Sequence, residues 1–169
     1  MKNLTIYIDM DGVVANFDKA VKAMQHIYEQ PWLDIPNFFL NLEPIGNPNA
    51  RIEELQQLGY KVYILTKVDI SDGPERAINK YDWVSRHIPC ISKDEVIIVP
   101  IDKEKTKYLR SDIKDSVLLD DYKGNLNDWT NKGGIAVKFG NKYKATRKYH
   151  QIVLDIGNLK NLLSDIEAI

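Results

Sequence analysis

Apolar residues in this chain fall into two patterns: short unbroken runs, and longer stretches where they recur every three or four positions. Unbroken runs are typical of buried strands, and periodic stretches are typical of helices. The runs predict five strands, at 4–8, 61–65, 95–99, 116–119 and 135–139. The periodic stretches predict helices at 15–29, 50–58, 74–87, 104–109, 126–131 and 154–166. The polar stretch 140–150 is expected to form a loop or a hairpin.

The alternation of strands and helices indicates an α/β protein. Strands that read as continuous apolar runs are covered on both faces, which favours a Rossmann-like three-layer fold with a parallel five-stranded sheet. The aromatic-rich segment that follows the first strand does not fit the alternation. It is interpreted as a small helical cap, 15–45, inserted into a core domain formed by 1–14 and 46–169. The alternative is that this segment merely packs on the sheet.

Size and composition exclude several classes of protein. A chain of 169 residues suits one domain with a small insertion. The net charge of −1 gives no overall field that would attract nucleic acid or an anionic membrane. With Cys90 as the only cysteine, an intrachain disulfide is excluded and a cysteine-based zinc site is not expected. No run approaches 18 apolar residues and no signal peptide is evident, so we expect a cytoplasmic protein.

Two carboxylates end the first predicted strand. Asp9 and Asp11 follow the run 4–8 directly, and Gly12 follows them. Asp is depleted in strands, so this sequence reads as a loop that the strand holds in place. Two carboxylates only a few Å apart repel each other, and a divalent cation or a shared proton relieves the repulsion. The competing interpretation is a surface turn with two solvated acids.

Further polar residues are expected at the same edge of the sheet. In open α/β sheets, ligands bind beyond the carboxyl ends of the strands. Thr66 follows the second strand, Asp120 and Asp121 follow the fourth, and the lysine-rich segment 102–107 lies between the third and fourth. Carboxylates, a hydroxyl and an ammonium together suit a phosphate and a hard cation, and oxygen ligands favour Mg²⁺ over Zn²⁺.

These residues resemble, in type and order, the motifs of the haloacid dehalogenase-like phosphatase superfamily. The matching segments are Asp-Met-Asp-Gly-Val at 9–13, Leu-Thr at 65–66, a lysine near 105 and Asp-Asp at 120–121. A closer resemblance is to the 5′(3′)-deoxyribonucleotidases of bacterial and phage type. It lies in 8–17 (Ile-Asp-Met-Asp-Gly-Val-Val-Ala-Asn-Phe), 80–84 (Lys-Tyr-Asp-Trp-Val), 105–109 (Lys-Thr-Lys-Tyr-Leu), 118–122 (Leu-Leu-Asp-Asp-Tyr), 125–126 and 129–135.

The resemblance implies a chemistry and a role for each matching residue. Asp9 would be the nucleophile that forms an aspartyl-phosphate, and Asp11 would be the general acid and base. Mg²⁺ would be held by four residues: Asp9, the Asp11 backbone carbonyl, Asp121 and Asp120. Phosphate would be bound by Thr66 and Lys105, with Lys103 as the alternative lysine. Phe17 would lie near the substrate base, and Lys67, where relatives often have a small residue, would add positive charge or point away.

The resemblance predicts a Mg²⁺-dependent phosphomonoesterase of nucleoside 5′-monophosphates, with deoxyribonucleotides as the expected class. A phosphatase of another small metabolite, such as a sugar phosphate, is the alternative. A signalling receiver module is disfavoured, because receivers carry their acid pair after the first strand and the acceptor on a later one. The expected partner is a small phosphate monoester rather than a nucleic acid polymer or a membrane, and a homodimer is left open.

Overall fold

A parallel sheet of six strands forms the centre of the molecule. The computed structural model describes residues 4–27, 34–140, 150–153 and 156–167. The strands are β1 (Thr5–Ile8), β2 (Lys61–Val68), β3 (Val96–Pro100), β4 (Ser116–Asp120), β5 (Ile135–Phe139) and β6 (His150–Val153). Their order across the sheet is β3-β2-β1-β4-β5-β6, and every pair is parallel.

Five α-helices within the described residues pack around the sheet. They are α1 (Phe17–Ile27), α2 (Pro48–Gln57), α3 (Glu75–His87), α4 (Lys123–Asn131) and α5 (Leu159–Glu167). Short 3-10 turns occur at Phe39–Asn41, Lys93–Glu95, Lys105–Tyr108, Ile113–Asp115 and Ile156–Asn158. The predicted α/β class with helices on both faces of a parallel sheet is confirmed.

The two faces of the sheet bury different sets of side chains. Successive strand residues point to opposite faces, so Ile6 and Ile8 join one buried cluster and Tyr7 joins the other. The first cluster takes in α2, α3 and α5 together with Phe38 and Phe39. The second is smaller and is closed by Leu126 and Trp129 of α4 and by the turns that precede β4. β1 is therefore buried on both faces, and its neighbour β4 is buried along its whole length as well.

The segment after β1 packs into the core of the sheet. Phe38, Phe39 and Leu42 are buried in the same cluster as Ile6 and Ile8, and the Trp83 indole of α3 donates a hydrogen bond to the Leu42 carbonyl at 2.7 Å. The division of the chain into a core domain and a cap at 15–45 stays a prediction. Residues 28–29 of the predicted first helix, and Trp32, lie outside the described residues.

Several boundaries differ from those predicted. β2 continues to Val68, so Thr66 lies inside the strand near its end rather than beyond it. The predicted helix 104–109 is a 3-10 turn. A sixth strand extends the predicted five-stranded sheet, and the predicted helix 154–166 becomes a 3-10 turn followed by α5. Most of the predicted loop 140–150 lies outside the described residues. None of the described helices combines the length and the apolar character needed to cross a membrane.

Candidate active site

The loop after β1 is a compact turn built around one carbonyl group. The backbone N–H groups of Val13, Val14 and Ala15 all donate to the carbonyl oxygen of Met10, at 3.3, 3.0 and 2.9 Å. Gly12 has a φ of 77°, a conformation that side chains disfavour. A Cβ placed on Gly12 would collide with the Asp121 carboxylate. The glycine therefore lets the first loop approach the acid pair that follows β4.

Strand pairing brings distant acids together. β1 and β4 are adjacent and parallel, with Ile8 opposite Leu119. The Asp9 backbone N–H continues this pairing by donating to the Leu119 carbonyl at 2.9 Å. As a result, carboxylate oxygens of Asp9, Asp120 and Asp121 lie within 4.8 Å of one another. The sequence predicted this convergence at the carboxyl edge of the sheet, and the structure has it.

Lys105 lies between two of these acids. Its ammonium donates to an oxygen of Asp9 and to an oxygen of Asp120, both at 2.6 Å, and its side chain is buried. Lys103, the alternative lysine, is exposed and pairs with Asp102 instead. The structure thus brings Lys105, and not Lys103, into the cluster.

The turn that carries Lys105 is tied to α4. Thr106 donates from its hydroxyl to Asp128 at 3.1 Å, and Lys132 donates to both Thr106 and Glu104 at 2.6 Å. These side chains are partly exposed, so each pair contributes little to the stability of the protein alone. Together they fix the residues on either side of Lys105.

Burial and mutual repulsion disfavour the charged forms of the carboxylates in this cluster. Burial raises the pKa of Asp9, and the nearby charges of Asp120 and Asp11 add to this effect although Lys105 acts against it. Burial and the Asp120 charge raise the pKa of Asp121 to about 6. Burial also disfavours the charge on Lys105, but Asp120 and Asp9 outweigh that penalty and raise its pKa. Three carboxylates around one ammonium therefore leave a site that favours a further cation.

Asp120 and Asp121 differ in the number of hydrogen bonds that their carboxylates accept. Asp120 is fully buried and accepts from Lys105, from the Asn125 amide at 2.9 Å and from the Tyr122 backbone N–H at 2.7 Å. Asp121 is partly exposed, and none of the described residues donates a hydrogen bond to its carboxylate. Its carboxylate is thus the more available to a ligand, while that of Asp120 is fixed by the protein.

The side chain of Asp11 points to a second lysine. Lys80 of α3 is fully buried, and its ammonium donates to Asp11 at 2.5 Å, to the Thr66 hydroxyl at 2.8 Å and to the Lys67 carbonyl at 2.9 Å. The ring of Phe39 lies 4.4 Å from the same ammonium. Lys80 therefore fixes one carboxylate oxygen of Asp11 and couples it to Thr66.

The other carboxylate oxygen of Asp11 has no partner within the described part of the chain. This atom, Oδ1, is buried and makes no hydrogen bond there. An unpaired buried acceptor is costly, and such atoms in proteins call for an explanation. A proton, or a group that shares one with Asp11, would satisfy it.

Two predicted site residues take other positions. The Lys67 ammonium lies 3.4 Å from the Ile101 carbonyl and bonds to none of the predicted site residues. Phe17 packs against Phe38 and Phe39, at ring separations of 5.6 and 6.4 Å. It is not among the residues that line the cavity between residues 34–39 and the start of α3. Their predicted roles as substrate contacts stay predictions.

Two buried lysines received no role from sequence reasoning. Lys80 stands three and four positions before the buried Trp83 and Val84, a spacing that predicts the buried face of a helix. Lys138 interrupts the apolar run of β5 at the level of Asp120, and its ammonium donates to the Asp121 carbonyl. In both cases the neighbouring residues predict a buried position, where lysine is rarely found, and this could have marked the two lysines as unusual.

The donor set fits a hard divalent cation. Asp9, Asp120 and Asp121 supply only oxygen atoms, in the spacing given above, and the Asp121 carboxylate has no donor within the described residues. Such ligands suit Mg²⁺ and are poor for softer metals.

Sequence comparison identifies one family. The profile described as 5′ nucleotidase, deoxy (pyrimidine), cytosolic type C protein matches residues 22–151. The matched range includes Thr66, Lys80, Lys105 and the Asp120–Asp121 pair. A search of functionally curated proteins gave no significant match.

Solved structures share the fold. A haloacid dehalogenase-like family hydrolase from Xanthomonas campestris has a TM-score of 0.69 at 9% identity, over 98% of this chain and 92% of that one. A HAD hydrolase of family IA, variant 3, from Entamoeba histolytica has a TM-score of 0.65 at 9% identity, over 97% and 99% of the two chains. D,D-heptose 1,7-bisphosphate phosphatase from Burkholderia thailandensis has a TM-score of 0.62 at 12% identity, over 96% and 98%. At these identities the likeness establishes the fold alone.

The close approach of Gly12 to Asp121 can be tested by substitution. Gly12→Ala should displace the Asp121 carboxylate and reduce phosphatase activity by more than about tenfold. Gly46→Ala is the matched control, because Gly46 also has positive φ, at 64°, but nothing lies within 4 Å of its Cβ position. Both variants should lose about 1–2 kcal/mol of stability to backbone strain, and only Gly12→Ala should lose activity. Equal activities in the two variants would contradict the contact.

The link between Lys80 and Asp11 can be tested with Lys80→Met. We expect kcat to fall by about 10- to 100-fold, part of the about 10²–10⁴-fold contribution of a positioned acid–base group. Lys93→Met, which removes an exposed lysine, is the control and should leave kcat unchanged. Thermal unfolding of each variant separates a loss of fold from a loss of positioning. A kcat for Lys80→Met equal to that of the control would show that Lys80 does not position Asp11.

Proposed function

This chain belongs to the family of 5′ nucleotidase, deoxy (pyrimidine), cytosolic type C proteins, which are haloacid dehalogenase-like phosphoric monoester hydrolases, and we propose that it hydrolyses nucleoside 5′-monophosphates. Deoxyribonucleotides are the preferred class, in keeping with the family to which the chain belongs. We also expect Mg²⁺ as cofactor and a cytoplasmic location. The observation that carries the proposal is the position of Asp9 beside two further carboxylates, with Asp11 held next to it by Lys80.

In the first step, Asp9 is the nucleophile. An oxygen of its carboxylate attacks phosphorus and forms an aspartyl-phosphate, while the bond between phosphorus and the nucleoside 5′ oxygen breaks. Lys105 already contacts the Asp9 carboxylate, so its ammonium is close enough to offset charge on the transferring phosphoryl group. The Thr66 hydroxyl, which accepts from Lys80, keeps its own proton for a phosphate oxygen.

Asp11 carries the proton. In the protonated form it donates to the 5′ oxygen of the departing nucleoside, which otherwise leaves as a poor alkoxide. Its carboxylate then takes a proton from water, and that water attacks the phosphorus of the aspartyl-phosphate, releasing phosphate and regenerating Asp9. The buried and unpartnered Oδ1 of Asp11 supports this role, because Lys80 occupies the opposite oxygen of the carboxylate.

The cation would be held by Asp9, Asp121 and the Asp11 backbone carbonyl, with Asp120 supporting them. When bound, Mg²⁺ supplies charge neutralisation for the phosphate oxygens and for the crowded carboxylates. Lys138 holds the backbone of the acid pair from the other side through the Asp121 carbonyl. Gly12 leaves the space in which the Asp121 carboxylate approaches the first loop.

The two acids can be distinguished with a substrate whose leaving group needs no proton. Asp9→Asn should lower phosphate release to below about 1% of wild type with any substrate, since the nucleophile is absent. With p-nitrophenyl phosphate, Asp11→Asn should release a burst of nitrophenol close to one equivalent per enzyme and then stall, because water is not activated. Stopped-flow absorbance measures both. A rate of phosphate release by Asp9→Asn above about a tenth of wild type would refute the assignment of Asp9 as the nucleophile.

Substrate class and metal dependence can be tested in one screen of phosphate release. Ribo- and deoxyribonucleoside 5′-monophosphates and sugar phosphates are compared with Mg²⁺, with EDTA, and with EDTA followed by excess Mg²⁺. We expect a preference for nucleotides, loss of activity in EDTA and recovery with Mg²⁺. A wide preference for sugar phosphates would favour the alternative phosphatase, and activity that persists in EDTA would refute the metal requirement.

A further inference from the structure

A cavity of about 280 Å³ shares Phe39 with the surroundings of the Lys80–Asp11 pair. It lies between residues 34–39 and the first turns of α3, and Phe38, Phe39, Asp72, Arg76 and Asn79 are among the residues that line it. Phe39 connects the cavity to the chemistry, since its ring lies 4.4 Å from the Lys80 ammonium that holds Asp11.

Asn79 is the unusual residue in the wall. It is 6% exposed, yet no other described residue forms a hydrogen bond with its side-chain amide. Its neighbours on α3 are different: Arg76 pairs with Asp72 at 3.2 Å, and Lys80 makes the three hydrogen bonds given above. The Asn79 amide is accessible from the cavity, because its atoms are not among the buried side-chain atoms that lack a partner. A ligand in the cavity can therefore bond to an amide for which no other described residue competes.

An amide presents a donor and an acceptor side by side. The complementary ligand group carries an acceptor next to a donor, and the hydrogen-bonding edges of nucleobases have this arrangement, which Asn and Gln side chains bind through two hydrogen bonds. A bare sugar offers hydroxyl groups but no planar edge of this kind. The aromatic rings of Phe38 and Phe39 add a surface on which a planar base can pack.

The charge of the cavity wall points in the same direction. Asp34, Asp72 and Glu75 line it, and Arg76, the one cation among the lining residues of the described chain, is already engaged by Asp72 and Asp69. A second phosphate in this cavity would be repelled by the acids. The cavity therefore favours an uncharged leaving group over a leaving group that carries a second phosphate.

We infer that Asn79 is a specificity-determining residue, which binds the edge of the nucleobase of the leaving nucleoside in this cavity. The inference rests on the proposed function, because it concerns the leaving group of the same reaction. It adds a residue and a basis for discrimination: the enzyme distinguishes a nucleotide from a base-free sugar phosphate through the amide of Asn79.

The test compares two substrates that differ only by the base. Wild type, Asn79→Leu and the exposed-helix control Ser85→Ala are assayed for kcat/KM with deoxyribonucleoside 5′-monophosphates and with 2-deoxyribose 5-phosphate. Leu matches Asn in size but leaves the base edge unpaired. Asn79→Leu should lower kcat/KM for the best nucleotide by about 10- to 100-fold and change that for 2-deoxyribose 5-phosphate by less than about twofold. Ser85→Ala should change neither.

Each other outcome overturns the inference. An equal loss with both substrates would make Asn79 a structural residue, and thermal unfolding of Asn79→Leu would show whether the fold is the cause. No loss with the nucleotide would show that the amide does not bind the base. Both results leave nucleotide hydrolysis by wild type intact, so the proposed function survives them. Wild type that hydrolyses no nucleotide, or prefers 2-deoxyribose 5-phosphate, would instead refute the proposed function together with the inference.

Discussion

The parallel pairing of β1 with β4 is the constraint on which the candidate site depends. Asp9 and Asp120 are far apart in sequence, but adjacent strands in this register end at the same level, with Asp9 bonded through its backbone to Leu119. A shift of one residue in either strand would turn its acid toward the other face of the sheet. The apolar side chains that specify the register, buried on both faces of β1, therefore also specify the geometry of the acids.

Buried lysines make that geometry tolerable. Acids gathered in a low-dielectric region raise one another's pKa, and an unpaired charge there is costly. Lys105 joins Asp9 to Asp120, Lys80 holds Asp11, and Lys138 binds the backbone of the acid pair. Each lysine comes from a different element, so the assembly of the site requires the complete core. The same arrangement leaves the carboxylate of Asp121 and one oxygen of Asp11 without a donor from the described residues. The proposed mechanism requires free oxygen atoms at these two positions.

The sequence predicts the elements whose signal is local and misses those that depend on distant contacts. Five strands are visible as apolar runs, and the acids at two strand ends follow from the rule that ligands bind at the carboxyl edge. The edge strand β6 follows a polar stretch, and its assignment depends on pairing with β5, which no local pattern reveals. The segment 104–109 contains helix-forming residues, but it forms only a 3-10 turn, tied to α4 through Thr106. Lys80 is missed because lysine is normally read as exposed, and only its spacing from Trp83 indicates otherwise.

In the proposed mechanism, acids from two strand ends surround one cation and leave Asp9 free to attack phosphorus. This arrangement can be tested by the crystal structure of the protein bound to Mg²⁺ and beryllofluoride, which mimics a phosphoryl group on aspartate. We expect beryllium bonded to a carboxylate oxygen of Asp9, with the cation in contact with Asp9 and Asp121 and the Lys105 ammonium in contact with the fluorides. Beryllofluoride on another residue, or a cation that does not contact Asp9 and Asp121, would contradict it.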